Sequence, residues 1–143
     1  MSEFDNSDFI QVKSSEVRVV LHAKFFEFAS LKEGNLSICM GHAMGNQDDF
    51  IIEDENGATI RQLADHLADR EGIAMLLDEN DQPRAILNLK KIAYVYWHLD
   101  DNNGESDPIE VLDVWYENYG FRLAHEDATK MYENICELAG LEA

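Results

Sequence analysis

The stretch GATIRQLADHLADREG, Gly57 to Gly72, constrains the fold more tightly than any other part of the chain. Ile60, Leu63, Ala64, Leu67 and Ala68 recur at helical spacing and make one apolar face. Thr59 and Gln62 have the spacing of a capping box, and Gly72 supplies a stop, so the pattern predicts a helix over 59–71. A second stretch of the same kind closes the chain. In HEDATKMYENICELAG, residues 125–140, Ala128, Met131, Tyr132, Ile135 and Leu138 form the apolar face, Glu126 and Asp127 complement the N-terminal dipole, and Gly140 ends the helix.

Much of the remaining apolar sequence has the period of a strand. Val17, Val19, Leu21, Ala23 and Phe25 alternate through EVRVVLHAKFFEF, which favours a strand over 16–28, with a helix ending at Gly34 as the competing reading. NLSICM and FIIED read as strands on either side of the loop GHAMGNQDD. IAMLLDENDQPRAILNL reads as two strands around a polar turn at Asn80 to Pro83, and IAYVYWHL continues the β-rich run. DPIEVLDVWYENYG, residues 107–120, carries helix signals in Asp107, Pro108, Glu110 and Gly120. Its Val111, Val114, Trp115 and Tyr116, following the turn-forming DDNNGESDP, favour a hairpin partner for IAYVYWHL. The expected fold is α+β, a mainly antiparallel sheet of about six strands with two amphipathic helices packed on it. Residues 9–143 form the single domain and 1–8 a frayed acidic tail. IIEDENG and WYENYG echo one another faintly, as two related strand-then-helix units would, although chance similarity in turn-rich sequence is the favoured reading.

A chain of 143 residues can bury a core without disulfide or metal support. Cys39 and Cys136 sit in apolar runs and read as buried, reduced thiols. The N-terminus lacks the basic start and apolar core of a signal peptide, and no apolar run approaches the roughly 20 residues that cross a bilayer. The cytoplasm is the expected location.

Eleven Lys and Arg stand against twenty-nine Asp and Glu, a formal net charge of −18. That balance opposes direct binding to nucleic acid or to anionic membranes and favours a basic partner, attracted at long range and released by salt. Solubility is the plain alternative. The acids are concentrated. Between Lys32 and Arg61 lie Glu33, Asp48, Asp49, Glu53, Asp54 and Glu55 without a base. Between Lys91 and Arg122 lie Asp100, Asp101, Glu105, Asp107, Glu110, Asp113 and Glu117, again without one. Converging acidic turns would make one negative surface, suited to a basic protein such as a nucleic-acid enzyme, in the manner of an immunity protein, antitoxin or inhibitor. The candidate partner-binding residues are these acids apart from Glu33.

Other motifs are weaker. An EF-hand alignment with Gly104 at position six places Leu99 where the first calcium ligand belongs. Cys39 and His42 make only half a zinc site, and GHAMG lacks the lysine of a phosphate loop. No metal or other cofactor is expected. Lys90 and Lys91 beside Tyr94, Tyr96 and Trp97 resemble a single-strand-binding surface, but two lysines do not offset the overall charge, and the aromatics read as divided between core and an exposed sheet face. Two alternatives to the basic-partner reading remain: an acidic chaperone-like homodimer holding a client on apolar sheet surface, and a small enzyme or ligand-binding domain using His42, His66 or His98.

Overall fold

The computed structural model describes residues 8–41, 50–101, 107–117 and 119–143. The chain runs β1 (Phe9–Lys13), β2 (Arg18–His22), a 3-10 turn (Ala23–Phe25), β3 (Phe28–Lys32), β4 (Asn35–Cys39), β5 (Phe50–Glu53) and α1 (Ala58–Leu67). It continues with β6 (Ile73–Leu77), β7 (Pro83–Asn88), a second 3-10 turn (Leu89–Lys91), β8 (Tyr94–Asp100), β9 (Ile109–Trp115), β10 (Gly120–Ala124) and α2 (Glu126–Ala139). The class is α+β, and among the described residues the pairing is antiparallel, but ten strands form three sheets where one sheet of about six was expected: β1-β2, β5-β4-β3-β7-β6 and β10-β9-β8.

The second half of the chain repeats the element order of the first. The match is closest at the 3-10 turns, where RVVLHAKFFEF (Arg18–Phe28) corresponds to RAILNLKKIAY (Arg84–Tyr94). The local devices match too. His22 accepts a hydrogen bond from the Lys24 N–H and Asn88 one from the Lys90 N–H. Glu27 N–H donates to the Cys39 carbonyl, and Ala93 N–H to that of Trp115. Ser14 Oγ and Asp78 Oδ1 each accept two main-chain N–H groups in the turn of their hairpin. The repeat is therefore a hairpin, a three-stranded meander and a helix. WYENYG lies at the β9–β10 turn and not directly before a helix, so the echo between it and IIEDENG had the wrong register.

The two units are joined by insertion of the second hairpin beside the first meander. β7 of the second unit pairs with β3 of the first, Phe28 opposite Leu87, Ala29 opposite Ile86 and Ser30 opposite Ala85. The resulting five-stranded sheet is covered on both faces, because successive side chains on a strand point opposite ways. One cross-strand row, Ile38–Ala29–Ile86 with Met75, joins the core made by Ile10, Val12 and Leu21 of the first hairpin and Ile60, Leu63, Ala64 and Leu67 of α1. The adjacent row, Cys39–Phe28–Leu87–Ala74, joins the core made by Leu112 and Val114 of β9 and Ala128 and Met131 of α2. The β1-β2 hairpin and the β8-β9-β10 meander thus lie in the two outer layers, with the five-stranded sheet between them.

Several sequence expectations need correction. The run 16–28 is not one strand: it breaks at the 3-10 turn, which carries the chain from one sheet to the next. α1 ends at Leu67, leaving Ala68 exposed and Gly72, at φ +80°, to turn the chain into β6. Leu138 is exposed on α2, and Cys136 occupies the buried position instead. Asp8 does not fray: it is buried and pairs with Lys24 and Arg70. Both cysteines are buried, and neither forms a disulfide among the described residues.

Candidate functional site

Glu53, Asp54 and Glu55 of the first window meet the hairpin turn at the entrance to α1. Gly57, at φ +73°, closes a turn in which its N–H bonds the Asp54 carbonyl, while Asp54 N–H bonds the Gly34 carbonyl. The N-terminal N–H groups of a helix lack partners within it. Here the Asp54 carboxylate, almost fully buried, accepts from Thr59 and Ile60, both at 2.9 Å, and the Asn56 side chain accepts from Ala58. The expected Thr59–Gln62 capping box is therefore absent. Gln62 instead clamps the first hairpin, donating to the Lys13 carbonyl at 2.7 Å and accepting from its N–H at 2.9 Å. Between the two turns lies an open cleft of about 640 Å³, lined by residues 13–17, 51–56, 58 and 59. Glu16, Glu53 and Glu55 are exposed on it, with Lys13 the one Lys or Arg among the described residues of its lining.

Asp54 thus belongs to the frame of the cleft, whereas Glu53 and Glu55 present their side chains to solvent. Glu16 was missed because β1 was missed. The signal was there: FIQVK and RVVLH alternate on either side of a Ser-Ser-Glu turn, which is a hairpin pattern.

The second window is built differently. Asp113 of β9 receives Arg122 Nε at 2.7 Å and Nη2 at 3.1 Å, and lies 3.1 Å from His98 Nε2. Arg122 also reaches Asp100 at 3.6 Å, so one guanidinium holds two of the predicted acids together. These Arg122 hydrogen bonds, helped by His98 and opposed by partial burial, hold the Asp113 carboxyl below the usual carboxylate range. Glu110 is turned toward α2, where it accepts from the Thr129 hydroxyl at 2.8 Å; Trp97 in turn donates its indole N–H to Thr129 at 3.2 Å. Asp101, Asp107 and Glu117 are exposed. Asp48, Asp49, Glu105 and His42 lie outside the described residues.

Among the described residues, His66 and His98 do not converge. His66 is exposed on α1, whereas His98 is on β8, in the other unit, stacked on Tyr96 and bonded to Asp113. Tyr116 donates to the Glu27 carbonyl from within the second core, and burial pushes its hydroxyl and that of Tyr119 far above the ordinary phenol range. Both stay protonated. Among the described residues no group of three or more His, Cys, Asp and Glu is placed to hold a metal ion, and no helix is long and apolar enough to cross a membrane. No protein-family model matches the chain, and no significant match was found among curated proteins or solved structures.

Proposed function

We propose that this protein is a non-catalytic binding module for a basic protein, which it engages through the carboxylates of the α1 cleft. One observation carries the reading. With 29 acids and 11 bases, pairing every Lys and Arg with its own carboxylate still leaves 18 acids without an internal counter-charge. Glu16, Glu53 and Glu55 are exposed around a single cleft whose described lining contributes Lys13 in return, with Arg61 bonded to the carbonyl of Asn56, one of the lining residues. Repulsion among like charges held on one rigid surface is relieved when a cationic partner docks, which supports both fast association and sensitivity to salt. Asp100 and Asp113 already share Arg122, and Asp54 caps α1, so these three contribute little to such a surface.

Capture of partners from a lysate on the immobilised protein at low salt, followed by a salt gradient, tests the reading against the Glu16→Gln, Glu53→Gln, Glu55→Gln triple variant. A basic protein retained by the native chain, eluted by moderate salt and lost from the variant is the expected result. Equal retention by the two proteins, or none by either, overturns the cleft as the binding surface.

A further inference from the structure

The junction between the two units is used once within the chain, while both of its halves recur at the ends of the stack. β3 and β7 make it; their counterparts are β8 in the second unit and β2 in the first. β2 pairs with β1 alone and β8 with β9 alone among the described residues, which leaves each with an edge that no described strand occupies. The five-stranded sheet stands between the layers that contain them, so they do not meet within one molecule.

The side chains tell the same story. Ile86 and Phe28, at the junction, are 0% and 5% exposed, whereas their counterparts Val20 and Tyr94 are 61% and 56% exposed. Tyr96 is a further 57% exposed on the same strand. Natural sheet edges are commonly protected by charge, proline or a bulge. Neither Val19–Leu21 nor Tyr94–Trp97 contains a charged residue or a proline, and both pair with their neighbours in unbroken register.

We propose that a second copy of this chain occupies these edges, with β8 of one molecule adding antiparallel to β2 of the next. The meander of one copy and the hairpin of the other would then rebuild the five-stranded sheet already present at the centre of each molecule. The internal junction sets the register: Tyr94 opposite Leu21, Val95 opposite Val20 and Tyr96 opposite Val19, with His22 N–H directed to the Ala93 carbonyl as Asn88 N–H is to that of Glu27. The contact is heterologous, so reciprocal pairing gives a closed dimer or ring and one-way pairing an open chain of molecules. Like-charged copies repel, so the association strengthens as salt is raised, opposite to the response expected for a basic partner at the acidic cleft.

Sedimentation of the purified chain from about 5 to about 500 µM measures the association directly, because the assembled fraction rises with concentration. The expected result is concentration-dependent assembly, tighter at higher salt. Mixing Val20→Cys with Val95→Cys chains under mild oxidation should link the two chains, whereas Val20→Cys with Leu99→Cys, four positions out of register, should not. Val20→Lys, at an exposed site, should raise the dissociation constant at least about tenfold while leaving the circular dichroism of the dilute chain unchanged. A monomer at every concentration and salt, or an oligomer that ignores Val20→Lys and lacks the Val20–Val95 link, overturns the proposal.

Discussion

Ile86 is fully buried in β7, while Val20, which holds the same place in β2 of the first unit, is 61% exposed. The same position in a repeated hairpin thus has opposite environments, because among the described residues only the second hairpin is inserted beside a neighbouring meander. Ile86→Ala should cost about 2–4 kcal/mol, the usual range for emptying a packed core site, whereas Val20→Ala should change the unfolding free energy of the dilute chain by less than about 0.5 kcal/mol. Urea denaturation of the two variants at low protein concentration checks the contrast.

Asp54 is predicted to be structural although it lies in an acidic run. Asp54→Ala removes the acceptor for two buried N–H groups at the start of α1 and should destabilise the protein by about 1–2 kcal/mol. Glu53→Ala and Glu55→Ala, whose side chains face solvent, should stay within about 0.5 kcal/mol of the parent. Thermal unfolding of the three single variants separates these roles.

Asn88 ties the units together, donating to the Phe26 carbonyl at 2.8 Å and accepting from the Lys90 N–H at 3.1 Å. Asn88→Ala leaves a buried carbonyl without this donor and should cost about 1–3 kcal/mol. Hydrogen exchange should show the loss at β3 and β7 together, since the bond spans their junction; protection lost in β7 alone would contradict a shared cooperative unit.

Acid should weaken the Asp113–Arg122 contact. A carboxyl whose pKa is lowered on folding adds stability that is present above its unfolded value, near about 3.9, and is lost as pH falls through the folded value. Asp113→Asn should therefore lower the unfolding temperature at neutral pH, by an amount equivalent to about 1 kcal/mol for a pair this exposed. The gap between variant and parent should narrow as the pH drops below about 4. A gap unchanged in strong acid would show that the ion pair is not its source.

Gly120 lies under the Trp115 ring, where an added Cβ would come within 2.5 Å of the indole. Gly120→Ala must displace that ring, which also stacks on Tyr94 at 6.4 Å. The expected outcome is a shifted tryptophan emission spectrum with a loss of about 1–2 kcal/mol, in the range for overpacked sites. An unchanged spectrum would show that the turn absorbs the methyl without moving Trp115.

Strands β4 to β9 were legible because alternation and turn residues are local signals: NLSIC and FIIE fall where the pattern put them, and IEVLDVW pairs with YVYWHLD as expected. β1, β3 and β10 were not read. FIQVK was placed beside a tail assumed to fray, and GFRLA sits between a turn and a helix cap with little alternation of its own. The run 16–28 misled because apolar residues continue through the 3-10 turn at Ala23–Phe25, so its period gives no sign of the crossing between sheets. Among the acids, charge density was readable but individual fate was not. Asp54 meets N–H groups five and six residues ahead, and Asp113 meets an arginine on the adjoining strand.

The amino-acid sequence by itself determined the two helical faces, most of the strands and an excess of negative charge that no internal pairing can remove, because each depends on residue type and short-range spacing. Tertiary structure alone decided that β7 enters beside β3, which acids are engaged internally and which edges stay open. Every strand edge offers the same N–H and C=O groups, so the choice of neighbour rests on side chains brought together from distant parts of the chain.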